Sequence, residues 1–180
     1  MTQHLETSRL IARPISDGDV ARMRILHNDA RVMATLSADG RTLKRDETVA
    51  MVGRLMVASD EAGRGIWMFH TRTDGTFVGY CGARKYMQAG LNDTELLYAV
   101  PFAEWKNGYA TEMAEAVIRH LFKSSGLSEM ISFTLPTNAA SRRVMEKCGF
   151  AYEADFKHAG LDHVLYRLTR SKWVAGGGQL

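Results

Sequence analysis

The 180-residue sequence has only three prolines and two cysteines, and its 23 lysines and arginines never gather into a basic run. Each scarcity excludes something. Few prolines with 46% hydrophobic and 24% charged residues set aside a disordered or fibrous chain. Cys81 and Cys148 form neither CxxC nor CxxxC spacing, so no zinc site is indicated and two reduced core cysteines are expected, as in a cell interior. No apolar run reaches the roughly 20 residues of a membrane span, and the opening MTQHLETSR lacks the apolar centre of a signal peptide. These absences lead us to expect a cytoplasmic protein without membrane association or direct nucleic-acid binding. His4, His27, His70, His120 and His158 show no HxxxH or HExxH spacing, so no metal is expected. The phosphate motifs GxxxxGKS/T and GxGxxG are missing as well.

The formal charge of +3 would suit an anionic ligand, although the cations are scattered. With no linker and no internal repeat, residues 1–180 read as one domain, large enough to bury roughly 70% of its unfolded surface. SRLIARPI, residues 8–15, reads as a first strand stopped by Pro14, and residues 17–27 and 47–62 carry helical apolar spacing. After Gly65 the runs IWMFHTR, TFVGYCGARKY and TELLYAV, separated by TDG and by QAGLND, predict a three-stranded antiparallel meander. A helix over residues 105–122, a strand ISFTL, a helix over residues 138–148 and strands FAYEADF and HVLYRLT complete the order βααβββαβαββ. Residues 171–180 are expected to fray. The fold class is α/β of the mixed kind, a central mixed sheet flanked by helices.

WKNGYATEMAEAVIRHLF, residues 105–122, poses the sharpest question. Ala110, Met113, Ala114, Val117, Ile118 and Leu121 form one continuous helical face, yet the segment opens on Asn107 and Gly108. A helix's first turn has unpaired N–H groups and the positive end of its dipole, so an anion fits there. Gly108 lacks a Cβ that would hold a phosphate away, and Lys106 adds charge. Asn107 and Gly108 fit an ordinary turn and cap equally well on spacing alone.

The segment from Trp105 to Glu112 resembles the acetyl-coenzyme A pyrophosphate loop of the GNAT N-acetyltransferase superfamily, Q/R-x-x-G-x-G/A followed by a helix. Gly108 and Ala110 match that pattern; Trp105 stands where it has Gln or Arg, an aromatic familiar in the RimJ/RimL-like branch (ribosomal-protein N-terminal acetyltransferase-like). Residues 7–14, TSRLIARP, resemble that branch's T-x-R-L-x-L-R strand, and Glu95-Leu96-Leu97-Tyr98 its E-L-G-Y strand, with Leu97 replacing glycine. Residues 138–150, NAASRRVMEKCGF, are similar to its N-x-x-S-x-R-V-x-E-K-x-G-F segment. The likeness covers about residues 7–169.

The resemblance implies a GNAT fold whose two central parallel strands, TELLYAV and ISFTL, splay at the cofactor. Backbone groups of Leu97, Tyr98, Ala99 and Val100 would hold the pantetheine, one of these N–H groups polarising the thioester carbonyl. The pyrophosphate would rest on the N–H groups of Lys106, Asn107, Gly108, Tyr109, Ala110 and Thr111. Asn138 would reach the pantetheine, as a helix N-cap or in addition to being one. Met145 occupies the position of the tyrosine that many members use as acid, so Ser141 becomes the candidate for bonding the departing thiolate. Glu95, Asp162 and His163 are the candidate bases. Glu112 reads as compensation of a helix dipole. Trp67, Tyr80 and Tyr98 would line an acceptor groove or simply the core.

The expectation is an acetyl-coenzyme A-dependent N-acetyltransferase acting by direct attack, with no covalent intermediate because neither cysteine has an assignable base. A protein N-terminal amine is the expected acceptor. A small-molecule amine stays open, as do a homodimer and a non-catalytic acyl-coenzyme A-binding sensor or scaffold.

Overall fold

The computed structural model describes residues 4–37, 39–58, 60 and 63–179. Its eight strands form one sheet in the order β1-β2-β3-β4-β5-β6-β8-β7. They are β1 (Leu5–Glu6), β2 (Leu10–Pro14), β3 (Gly65–Thr71), β4 (Phe77–Tyr86), β5 (Asp93–Ala99), β6 (Glu129–Thr134), β7 (Ala151–His158) and β8 (Leu161–Thr169). Helices α1 (Val20–His27), α2 (Ala30–Leu36), α3 (Arg45–Met56), α4 (Tyr109–Ser124), α5 (Ala139–Lys147) and α6 (Arg170–Ala175) surround it. The expected mixed α/β sheet is therefore present.

Three elements go beyond the expected order. β1 is two residues long and pairs with β2 through Leu5 and Ala12, too short for any periodic signal. α2 starts where Asp29 accepts a hydrogen bond from the Arg31 N–H at 2.9 Å. α6 occupies part of the tail expected to fray: Thr169 accepts from the Lys172 N–H, and Trp173 packs on Phe122 with ring centroids 5.3 Å apart. α4 begins at Tyr109, four residues later than the apolar spacing suggested, because Gly108 is left-handed. α3 ends at Met56; Ser59, Ala62 and Leu180, which figured in the expected helix and tail, lie outside the described residues.

Alternation along the strands divides the core between two faces. Leu96 and Tyr98 of β5 face α4 and α5, together with Met113, Val117, Ile118 and Leu121. Leu97 and Ala99 face α1 to α3, with Met23, Leu26, Val52 and Leu55. Burying each such aliphatic side chain contributes about 1.5–3 kcal/mol, enough to hold α4 without any cofactor. A smaller cluster of Tyr86, Ile131 and Leu165, with Phe133 and Phe156, lies on the face of α1 to α3 where no helix covers β6 to β8. That uncovered quarter adjoins the point where the sheet opens.

β5 and β6 are the parallel pair, and among the described residues their backbone register pairs only Glu95 with Ile131. On its other side β5 is held in seven-residue register to β4, from Tyr80 opposite Ala99 to Tyr86 opposite Asp93. Gly79 makes the far end of that pairing close: a Cβ there would lie 2.2 Å from the Ala99 carbonyl oxygen. So β5 follows β4 and departs from β6.

Candidate active site

Ser132 Oγ donates to the Leu96 carbonyl at 3.0 Å, the last side-chain tie between the diverging strands. Backbone groups alternate in direction along a strand, so the Leu96 carbonyl pointing at β6 puts the Tyr98 N–H and C=O into the opened gap. The gap continues as a cleft of about 620 Å³. Leu97 to Val100 form one wall, Lys106 and Gly108 to Thr111 the floor, and Asn138 and Ser141 of the α5 start the other wall. All the residues proposed for the cofactor meet here except Asn107, whose side chain bonds Glu104 and whose carbonyl accepts from Arg9 Nη1 at 3.1 Å.

The loop between β5 and α4 is built to present N–H groups. Lys106 and Gly108 both have left-handed backbone angles, φ 67° and 80°. Among the described residues, none accepts a hydrogen bond from the backbone N–H groups of residues 106–111. Six donors at the positive end of a 16-residue helix make a cradle for an anion. Trp105 explains itself here: its indole N–H donates to the Val100 carbonyl at 2.8 Å, and its ring lies 5.0 Å from that of Phe102. It fastens the loop to the end of β5. Trp105→Phe keeps the stacking and loses the donor, so the Michaelis constant for acetyl-coenzyme A should rise about three- to tenfold, in line with about 1 kcal/mol for one hydrogen bond. Steady-state kinetics with the variant check this, and an unchanged constant contradicts it.

Glu112 does more than offset a dipole. Its carboxylate accepts from the Thr7 hydroxyl, from the Arg9 backbone N–H at 3.1 Å and from the Arg9 guanidinium at 2.7 Å. The TSR segment thereby clasps the first turn of α4, which accounts for its place in the resemblance. Burial by itself would raise the Glu112 carboxyl, but the hydrogen bonds from Thr7 and Arg9 outweigh it and hold it below its usual value. A carboxyl lowered in the folded state stabilises fully above its unfolded pKa and stops doing so as pH falls through the lowered value. Glu112→Gln should therefore lower Tm at neutral pH and flatten the acid limb of Tm against pH below about pH 5. An acid limb identical to wild type contradicts the clasp.

Polar groups gather on both sides of the gap. On the α5 side, the Tyr98 hydroxyl lies 2.9 Å from Ser141 Oγ and donates to the Ser141 carbonyl at 3.1 Å. Asn138 Oδ1 accepts from the Ser141 N–H at 3.1 Å and so caps α5. Burial pushes the Tyr98 phenol well above its ordinary value, so it stays a neutral donor. Met145 is buried in the core, away from the cleft's lining.

On the opposite face, Glu95 is 5% exposed and ion-paired to Arg84, its cross-strand partner, at 2.6 Å. Burial raises its carboxyl above the ordinary range, although Arg84 opposes this. His158 and His163, from the hairpin of β7 and β8, also line the cleft. His163 Nδ1 lies 3.1 Å from the Leu161 carbonyl, which can only accept, so Nδ1 carries a proton and the lone pair of the neutral tautomer falls on Nε2. His158 Nδ1 meets the Tyr86 hydroxyl at 2.8 Å, and burial, then His163 and Arg84, keep this imidazole below its ordinary pKa.

One expectation needs correction. Asp162 points outward, paired with Lys157 at 2.7 Å and 75% exposed, and is not part of the cleft's lining; alternation along β8 sends it to the side opposite its neighbour's site. Of the aromatics read as groove or core, Trp67 takes the core, packing on His120 beneath α4 with ring centroids 5.2 Å apart, while Tyr80 and Tyr98 line the cleft. His158, Arg84 and the Tyr98 hydroxyl were missed, since each depends on a partner from another element, Tyr86, Glu95 and Ser141 in turn. Both cysteines are buried, with thiols pushed up by burial, Cys148 to about 12 and Cys81 well above its ordinary value, which leaves them poor nucleophiles.

Residues 9–151 match the acetyltransferase (GNAT) domain family. The FsC-acetyl coenzyme A-N(2)-transacetylase of Aspergillus fumigatus is 30% identical over 94% of this chain and 77% of its own. A GNAT-family acetyltransferase structure from Bordetella pertussis superimposes with a TM-score of 0.79 at 24% identity, covering 92% of this chain and 98% of that one. RimJ of Mycobacterium smegmatis, solved with coenzyme A disulfide, gives a TM-score of 0.73 at 20% identity, covering 98% and 94%.

Proposed function

The chain belongs to the GNAT acetyltransferase family and is thus an acetyl-coenzyme A-dependent acyltransferase; from that premise we propose that it acetylates a primary amine of the α-amino type, a protein N-terminus foremost, by direct attack. The observation that carries this reading is the opening between β5 and β6 with donors on one face and a lone-pair nitrogen on the other.

The residues fit the cofactor. The unpaired N–H groups of residues 106–111 suit its pyrophosphate, and Lys106, Arg143 and Lys147 add positive charge along the cleft. Bound there, acetyl-coenzyme A supplies an activated acyl carbonyl and a thiolate leaving group. The Tyr98 N–H donates to the carbonyl oxygen in the gap, where it is worth most as negative charge grows. The Ser141 hydroxyl donates to the departing sulfur, backed by the Tyr98 hydroxyl. His163 Nε2 takes the amine's proton, and Glu95, held by Arg84, shapes the acceptor wall rather than acting as base. Asn138 fixes Ser141 by capping α5.

Energetics favour an α-amine. Deprotonation at pH 7 costs roughly 1.4 kcal/mol for an α-amine with pKa near 8, but roughly 4.6 kcal/mol for a lysine near 10.4. A neutral imidazole bridges the first cost far more readily than the second. The relative named as an N(2)-transacetylase lends support to a small-molecule α-amine as a second acceptor. The test is a lysine-containing peptide with a free N-terminus, incubated with acetyl-coenzyme A and mapped by mass spectrometry. Acetylation at the α-amine about 50-fold or more over lysine supports the proposal; equal or faster lysine acetylation contradicts it.

A further inference from the structure

The acceptor side of the cleft differs in character from the cofactor side. Val32 and Leu36 of α2 and Met51 and Leu55 of α3 face Leu97 and Phe133 of the sheet across it. Phe133 belongs to a ring cluster: its centroid lies 5.2 Å from that of Tyr86, 5.1 Å from Phe156, 5.0 Å from His158 and 5.6 Å from His163. The rings support one another edge-on, so the wall is rigid as well as apolar.

Charge points the same way. Among the described residues the carboxylates lining the cleft are Glu95 and Glu104. Glu104 lies in the turn before Trp105 and accepts from Asn107. Glu95 is spent on Arg84, whose Nε and Nη2 take its two oxygens at 2.6 and 3.3 Å. Apart from Glu104, in the turn before Trp105, the cleft lining thus offers a cationic group no carboxylate that is not already paired, and the Glu95–Arg84 pair carries no net charge. His158, below its ordinary pKa, adds no positive charge at neutral pH but also gives nothing to attract a cation.

We propose that this wall receives the group adjacent to the accepting amine, and that the acceptor class is an amine bearing an apolar or aromatic neighbour and no second positive charge. The inference rests on the acetyl-transfer reading above and narrows it. Polyamines and lysine- or arginine-first peptides are disfavoured, since their second cation would leave water for an apolar wall whose nearest carboxylate, Glu95, is already paired with Arg84, while a leucine or phenylalanine side chain between Leu36, Leu55 and Phe133 removes apolar area from water on both partners. The amine itself stays near His163, because that histidine and Phe133 share the cluster.

The experiment uses the full chain, acetyl-coenzyme A and five peptides differing only in the first residue: Phe, Leu, Ala, Lys and Glu. Free-thiol release gives kcat/KM for each. Phe- and Leu-first peptides should exceed the Lys-first peptide by about tenfold or more, the effect of burying one such side chain. Leu36→Asp, at a position 37% exposed and so tolerant of charge, should lower kcat/KM for the Phe-first peptide about tenfold and raise it for the Lys-first one, with KM for acetyl-coenzyme A unchanged. Val57→Asp, on the 81% exposed end of the α3 region and outside the cleft, should change neither. Equal values across the panel, a Lys-first peptide turned over fastest, or Leu36→Asp indistinguishable from Val57→Asp overturns the apolar pocket and leaves the acetyltransferase reading standing. Absence of thiol release with every peptide overturns that reading, and the pocket's role with it.

Discussion

Gly108→Val is expected to raise the dissociation constant for acetyl-coenzyme A about 100-fold while the chain still folds. Gly108 has φ 80°, which an L-residue adopts at a cost of about 1–2 kcal/mol, more when β-branched. Space is not the obstacle, because an added Cβ would find only Arg9 Nη2, at an ordinary 3.5 Å. The damage falls on the cradle. Relaxing the strained angle turns aside neighbouring N–H groups, and the branched side chain keeps a phosphate away from them. Losing two charge-assisted hydrogen bonds at about 1.5–3 kcal/mol each accounts for two orders of magnitude in affinity. Calorimetric titration with coenzyme A measures it, and circular dichroism shows that the fold persists. Unchanged affinity in a folded variant places the phosphates elsewhere.

Ser141→Ala should lower kcat about 100-fold and change KM for acetyl-coenzyme A less than about threefold, since a donor aimed at developing charge acts on the transition state. The helix survives the change: Asn138 caps through the Ser141 backbone N–H, which alanine retains. Tyr98→Phe removes the hydroxyl that lies 2.9 Å from Ser141 Oγ, and the double variant should be no slower than the slower single one. Groups that act as a unit are non-additive. A wild-type kcat for Ser141→Ala, or full additivity with Tyr98→Phe, contradicts a shared role at the sulfur.

Much of the fold was legible because periodicity carries it. The α4 stripe, the meander from β3 to β5 and the final hairpin each repeat at a helical or strand period over enough residues to stand out. What escaped was short or tertiary. α2 has seven residues, β1 two and α6 six, below the length at which spacing distinguishes an element from a turn. The opening of β5 from β6 has no local signature, since it depends on how two strands from distant parts of the chain pair, Glu95 with Ile131.

The site divides along the same line. Gly108, Asn138 and Ser141 were picked out from contiguous motifs, and all three line the one cleft. Arg84 and Glu95 stand 11 residues apart in the chain and directly opposite in the β4–β5 register, so the ion pair between them appears only when the strands are aligned. Asp162 and His163 are neighbours in sequence, yet β alternation gives one to solvent and the other to the cleft. Trp105 departs from the broad loop pattern, and its indole bond to the Val100 carbonyl ties the loop to the end of β5.

One measurement tests the central claim most directly: acetyl-coenzyme A mixed with the protein and an N-terminal peptide, with free thiol, acetylated peptide and the intact mass of the protein followed together. Direct transfer predicts thiol and acetylated peptide in equal amounts, and a protein mass that never gains an acetyl group, with or without the peptide. Binding of acetyl-coenzyme A with no thiol release above background hydrolysis, across peptides and small amines, or an acetylated protein that passes its acetyl group to the peptide, would contradict the account.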